Sequence, residues 1–487
     1  MADLPHEVMA NIISYLPPPL APYACVNGLF RDFIEKRTFS KAKTNSAAAE
    51  IAQFNNILAA PRRRHLLREL EFEVVLPEPS AERAEKFQND AEAAEDNRVF
   101  SEAIHALFRR LHDWGDISPD SDGAATFMLI ISATGVAWRG SEKYINISRP
   151  GRDRKWRCKP PGRYTYRRLE FVGLEELPTV GCIKGFDEWG RFIHPSAMAT
   201  MLSALPNLVH MTFECLPVVR RMRALFDSLE DGMSALMAAL ARIPSLEEIT
   251  LTYGRHPKDH FWEPEVRVLE AEGDRMAMAL RQLSRLPRLR ILNLTGYCVL
   301  SPDALVMNAK DTWPSLELFR LWFSLLDPYG SWYFKRNEKC RLIRLLGRWD
   351  DGLDPDPEIL GDTGVKDWKE PNAWCRLDGN EWHDEFRTEP DTAKFNPMMA
   401  AIAGMATEMP RLKHAFFNFG EAAFIWCHRQ DPRQGLDWEF FFEEQNLVWK
   451  PSQALVRICE KRGGSSIVTK SESEFHDASR RYRSMVS

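Results

Sequence analysis

The chain has 487 residues, 44% apolar and 27% charged, with a formal net charge of -5. That length exceeds what a single compact core keeps enlarging, so two or more lobes or an elongated solenoid are expected, and the composition is that of a folded, water-soluble protein. The mild acidity excludes a global attraction to nucleic acid or anionic membrane, so any such affinity has to be local.

Residues 4 to 34, LPHEVMANIISYLPPPLAPYACVNGLFRDFI, form the first readable unit. Pro5 suits the first turn of a helix, where its missing N–H is no loss, and Glu7 complements the positive end of the helix dipole. Val8, Met9, Ile12, Ile13 and Leu16 recur on one helical face. Pro17, Pro18 and Pro19 end that helix, and Leu20, Tyr23, Ala24, Val26, Leu29, Phe30, Phe33 and Ile34 supply further apolar faces. The pattern predicts three short helices, with more apolar surface than a module of about 40 residues can bury by itself; it leans on the rest of the chain or on another protein. No Lys or Arg precedes Arg31, so neither a secretory nor a mitochondrial presequence is expected.

Residues 78–96 are polar and acid-rich, a solvated loop or helix ahead of an amphipathic helix expected from Val99 to Trp114. The longest apolar run, Ala124 to Trp138, is 15 residues long and contains Thr and Ser, too short to span a bilayer comfortably. Residues 149–168, RPGRDRKWRCKPPGRYTYRR, carry nine Lys or Arg against one Asp, with Trp156, Tyr164 and Tyr166 interleaved. Such a stretch can neutralise phosphates and stack bases, or grip an acidic or phosphorylated partner, or be a solvated basic loop.

A degenerate repeat follows, in which a short helix ends near a proline and apolar residues recur at n, n+3 and n+5. The copies are Leu208, Met211 and Phe213; Leu246, Ile249 and Leu251; Leu289, Leu292 and Leu294; Leu316, Phe319 and Leu321; and Leu412, Ala415 and Phe417. Weaker ones lie at Leu67, Leu70 and Phe72 and at Tyr166, Leu169 and Phe171. In LxxLxL the first residue enters a short strand from a turn and the other two point inward from alternate positions. Helical patterns between copies predict an α/β repeat, a right-handed solenoid with a parallel inner sheet. The first-position steps of 42, 38, 43 and 27 from Tyr166 to Leu316 make it irregular.

Roughly 327–395 interrupts the repeat with an acidic run and Trp332, Trp349, Trp368, Trp374 and Trp382. Such tryptophans either anchor a recognition surface or pin the insertion to the repeat, and the second role is favoured. No phosphate-cradling glycine loop, GxSxG elbow, HExxH helix or paired CxxC occurs, so a non-catalytic protein without metal or cofactor is expected. The acidic cluster of Asp350, Asp351, Asp354 and Asp356 lacks the glycine and closing Glu of a calcium loop. Cys427 and His428, as neighbours, cannot easily face each other on regular structure. Nine scattered cysteines point to reduced, mostly buried thiols in the cytosol or nucleus.

The N-terminal unit resembles an F-box, through Leu4-Pro5, Glu7, Ile12 and Leu16, then Cys25-Val26 and Phe30-Arg31, with Phe33 where the family usually has Trp. The downstream pattern resembles the degenerate leucine-rich repeats found behind F-boxes, especially in filamentous-fungal proteins. The resemblance implies a three-helix F-box over 1–45 and an irregular leucine-rich-repeat-like solenoid over 46–487. It implies the substrate receptor of an SCF-type cullin-RING ubiquitin ligase, docking on a Skp-family adaptor, and through it on the ligase core, and holding a protein target with its repeats. Leu4, Pro5, Ile12, Ile13, Leu16, Val26, Phe30 and Phe33 would be adaptor-facing or form the module's core. Arg152, Arg154, Lys155, Trp156 and Arg157 are the basic candidate for target binding, and Trp368, Trp374 and Trp382 the aromatic one. The other reading is a repeat protein that binds RNA or another polyanion through 149–168. No membrane partner is expected.

Overall fold

The computed structural model describes residues 6–17, 20–26, 28–80, 83, 88–114, 126–134, 167–215, 223–253, 275–306, 312–336, 387–419, 423–429, 436–442, 449–460 and 467–470. They form a mixed α/β protein built on one large, mostly parallel sheet. Its strands are β1 (Lys41–Asn45), β2 (Glu69–Val75), β3 (Phe127–Thr134), β4 (Ile183–Gly190), β5 (His210–Cys215), β6 (Glu248–Tyr253), β7 (Ile291–Cys298) and β8 (Leu318–Phe323). After a separate antiparallel pair, β9 (Phe334–Arg336) with β10 (Arg387–Pro390), come β11 (His414–Asn418), β12 (Ala423–His428), β13 (Asp437–Phe442) and β14 (Ile467–Lys470).

Strand order across this twelve-stranded sheet is chain order. A doubly wound sheet reverses direction at a switch point; here every connection adds its strand to the same edge. β12 alone runs antiparallel to its neighbours. The register lines up one buried residue per strand: Leu70, Leu129, Phe186, Met211, Ile249, Leu292, Phe319, Ala415, Cys427 and Trp438. None is more than 1% exposed, so a single apolar row crosses ten strands. Helices cover this face: α5 (Asp90–His112), α6 (Pro195–Ser203), α7 (Arg223–Leu240), α8 (Arg275–Leu283), α9 (Pro302–Leu305), α10 (Thr392–Thr407) and α11 (Gln453–Glu460). From α6 onward each touches the next.

Six of the seven expected repeat copies lead into strands, namely β2, β5, β6, β7, β8 and β11, and their apolar triplets are all buried. The seventh does not. Tyr166 lies outside the described residues, and Leu169 makes only an isolated bridge to Ile193. The strands in that part of the sheet are β3 and β4. β3 lies inside the Ala124–Trp138 run, where Phe127, Leu129, Ile131 and Ala133 are buried in the core; a strand flanked by parallel neighbours reads as a continuous apolar run.

The amphipathic helix expected from Val99 begins at Asp90. Asn89 caps it by accepting from the Glu92 N–H, while the Glu92 carboxylate accepts from the Asn89 N–H, a reciprocal box that starts the helix within the acid-rich stretch. Both described ends of the 327–395 interruption are built into the core: the Tyr333 hydroxyl donates to the Leu300 carbonyl at 2.6 Å, and the Phe334 ring packs 5.1 Å from that of Phe395. Trp332 also packs against the core. Among the described residues no helix is long and apolar enough to cross a membrane.

Candidate functional site

Three short helical segments precede the sheet: α1 (His6–Ser14), a 3-10 turn (Ala21–Cys25) and α2 (Gly28–Phe39). The sheet begins at Lys41, inside the segment 1–45. Met9 and Ile13 of α1 and Ile34 of α2 are buried, and the Arg37 guanidinium donates to the Ile13 carbonyl at 3.3 Å, tying the end of α1 to α2. The other side of α1 and the end of the 3-10 turn present Val8 (41% exposed), Ile12 (37%), Tyr15 (87%) and Val26 (60%). The remaining exposed large hydrophobics among the described residues, Ile57, Val172, Met278, Val306 and Tyr329, are scattered through the fold. Isolated apolar side chains need no explanation, but four within nineteen residues of a small helical unit do.

Of the expected adaptor residues, Ile12 and Val26 are exposed, whereas Leu16, Phe30 and Phe33 are half-buried. Ile13 belongs to the interior of the module. Leu4 and Pro5 lie outside the described residues.

The module is held to the body by α4 (Pro61–Leu66), which follows α3 (Ala48–Ile57). Arg62 pairs with Asp32, and with Glu35 at 3.2 Å. The Arg63 guanidinium lies 4.7 Å over the Phe39 ring. Arg64 donates to the Leu58 carbonyl at 2.7 Å and lies 5.5 Å over Trp114, at the end of α5. Three consecutive arginines thus face α2 on one side and the core on the other.

No family model and no curated protein matches the chain.

The basic candidate, Arg152, Arg154, Lys155, Trp156 and Arg157, lies outside the described residues, as do Trp368, Trp374, Trp382 and the acidic cluster near Asp350. Only the end of the basic stretch is described: Arg167 pairs with Asp90, and Arg168 is buried. Arg168 belongs to a polar cluster inside the core that sequence reasoning missed. It gathers Glu188 of β4, Arg191 just beyond it, His194 at the start of α6, Asp96 of α5 and Gln88. Arg191 pairs with Asp96 and bonds Gln88, whose amide donates to Asp96 at 2.6 Å. Asp96 and Arg191 are ninety-five residues apart, and no local pattern links them.

The cluster invites a catalytic reading, because Ser228 Oγ lies 3.3 Å from His194 Nε2. The hydrogen bonds oppose it. His194 is the N-cap of α6, and its Nδ1 accepts from the Ser196 N–H and stands 2.7 Å from the Ser196 hydroxyl. An accepting Nδ1 places the proton on Nε2, so the imidazole donates toward Ser228 and cannot take its proton. Burial, with the Arg168 guanidinium nearby, pushes His194 down from 6.5 to about 4. Because the folded value lies below the unfolded one, its contribution to stability is present above pH 6.5 and is lost as pH falls through about 4, a change of roughly 3 kcal/mol. Urea unfolding measured across that window should show this slope, and His194→Asn, which keeps an N-cap acceptor, should remove it.

Cys427 and His428 point to opposite faces of β12: Cys427 is fully buried in the core, which raises its thiol, while His428 stands on the other side with its ring 4.7 Å from Trp426. Among the described residues no group of three or more His, Cys, Asp or Glu could hold a metal ion.

Proposed function

We propose that this chain is the substrate receptor of an SCF-type cullin-RING ubiquitin ligase, with its N-terminal helices as an F-box that docks on a Skp-family adaptor. The observation that carries the reading is the exposure of four large apolar side chains, Val8, Ile12, Tyr15 and Val26, on a small helical module whose own interior is Met9, Ile13 and Ile34. Two further features support it: the motif Leu4-Pro5, Glu7, Ile12, Leu16, Cys25-Val26, Phe30-Arg31 and Phe33, and a sheet whose strands follow chain order, as repeats of a leucine-rich type require.

In this reading the chain makes and breaks no bonds. The scaffold holds a target lysine near a charged conjugating enzyme, converting a chance encounter into a high effective concentration. The test is co-expression with a Skp-family adaptor followed by size-exclusion chromatography. The wild type is expected to co-elute with the adaptor at equal stoichiometry. Ile12→Asp with Val26→Asp should weaken binding by about 100-fold or more, since two carboxylates would have to be desolvated in an apolar interface. Both sites are surface positions, so the variant should fold. A folded wild type that does not co-elute rejects the F-box reading.

A further inference from the structure

The sheet forks between β4 and β5. These strands are in register at Gly185/His210 and Phe186/Met211 and then part. Yet β4 stays paired with β3 as far as Ala133/Gly190, and β5 with β6 as far as Cys215/Tyr253. Both continue as strands, but not with each other.

Side chains fill the gap. Glu188 stands on the core-facing side of β4, beside Ile131 of β3, at a row that is apolar in β2 and β3 and again from β5 onward. Its Oε1 accepts from the Glu214 N–H of β5 at 3.2 Å, so a side chain spans the fork where a backbone bond would otherwise lie. Arg168 arrives on a segment that runs beside the chain following β4: Leu169 N–H donates to the Phe192 carbonyl at 2.9 Å and accepts through its own carbonyl from His194 N–H at 2.8 Å. The Arg168 guanidinium is near enough to Cys215 of β5 to oppose the rise that burial imposes on its thiol, and it lies 4.8 Å over the Phe192 ring.

The helical layer above does not part. A Cβ on Gly232 of α7 would lie 2.8 Å from His194 Cε1 and 2.9 Å from the Ser196 nitrogen, so α7 rests directly on the start of α6 and only glycine fits. The two halves are therefore joined closely at the helices and separated at the carboxyl ends of the strands, which is the geometry of a hinge.

We propose that this fork is a hinge, latched by the Glu188 carboxyl and the Arg168 guanidinium, at which β1 to β4 with the N-terminal module swing against β5 to β14. The charged and titratable groups around the latch are Asp187 and Arg191 of the β4 region, Glu214 and Cys215 of β5, Glu170 beside Arg168, Asp96 of α5 and His194 of α6. Burial raises Glu188 well above 4.5; the Glu214 N–H and Arg168 work against that rise, while Glu214 and Asp187 add to it. The folded value exceeds the unfolded one, so the latch is strongest with a neutral carboxyl and weakens as pH climbs through the raised value. The inference does not depend on the ligase reading.

Hydrogen exchange read by mass spectrometry on the full-length chain, corrected for intrinsic rates, tests it. Amides of 187–190 and 212–215 should exchange about tenfold or more faster than those of 249–252 and 292–295, and Glu188→Ala should quicken them about tenfold further while leaving β7 and β8 unchanged. Glu188→Gln keeps the acceptor but cannot ionise, so its exchange at the fork should stay level as pH rises above the ordinary carboxylate range, while that of the wild type quickens. Exchange at the fork as slow as in β6 and β7 would overturn the hinge. So would a Glu188→Ala effect spread evenly over the sheet. If the alanine variant does not fold, the glutamine variant decides: identical pH profiles with the wild type would reject the latch.

Discussion

Asp96→Ala is expected to lower the unfolding free energy by about 3–5 kcal/mol, because it takes away the carboxylate paired with the buried Arg191 guanidinium. Asp96 and Arg191 are 5% and 3% exposed, so water is poorly placed to take over from the lost carboxylate. Gln88 cannot compensate, since its carbonyl oxygen already accepts from Arg191 and its amide would lose the 2.6 Å bond to Asp96. The three side chains join α5 and the residues before it to the end of β4, so the loss should be felt as a cooperative weakening of the first strands. Removing both charges together is a different experiment. Asp96→Leu with Arg191→Met should recover most of the loss, to within about 1–2 kcal/mol of the wild type, because desolvation of the ion pair is removed along with its attraction. Urea midpoints of the three proteins would check both statements; an Asp96→Ala midpoint equal to the wild type would show that water reaches the pair.

Phe319→Ala is the second large effect, again about 3–5 kcal/mol. Phe319 is fully buried in β8, between Leu292 of β7 and Ala415 of β11 in the apolar row. Its ring lies 5.8 Å from that of Trp313 and meets Phe417 edge-on at 5.7 Å. The neighbour on β11 is already an alanine, so the Phe319 ring occupies space that β11 leaves open. Two alanines side by side would leave a cavity that the flanking rings, held by their own contacts, cannot fill. Thr212→Ala on the opposite, exposed side of β5 should change stability by no more than about 0.5 kcal/mol. The contrast separates the covered face of the sheet from the open one.

The strands most easily read from the amino-acid order are those that begin after a proline turn. Leu246, Ile249 and Leu251, or Leu316, Phe319 and Leu321, announce their inward positions because each strand is entered the same way. β4 carries no such sign: IKGFDEWG places two glycines, two acids and a tryptophan in a central strand, and only the buried Ile183 and Phe186 mark its inner side. Its irregularity is that of the fork, where Glu188 takes a position that leucine, isoleucine or phenylalanine fills elsewhere. The weak copy at Tyr166, Leu169 and Phe171 misled for a related reason. Its Leu169 is buried and its Phe171 stacks 5.4 Å from Phe100, so it has the apolar spacing of a strand while serving as a brace beside one. The apolar exposure of the N-terminal module was legible as a surplus of apolar residues over what the module can bury. Which of them face outward was not, because Ile12 and Ile13 are adjacent and only the packing of α1 on α2 separates them.

A sheet laid down in chain order has no closing stitch. Among the described residues β1 pairs with β2 and not with any later strand, and β14 is bound to the sheet through β13. Each unit answers only to the two beside it, so damage at one end need not travel to the other, and extra sequence can be let in between neighbours without disturbing either. The stretch between β9 and β10 shows the rule at work: its two ends meet as an antiparallel pair while β8 and β11, on either side of it in the chain, remain in register from Leu318/His414 to Trp322/Asn418. Such a molecule can acquire new surfaces one gap at a time and keep its frame.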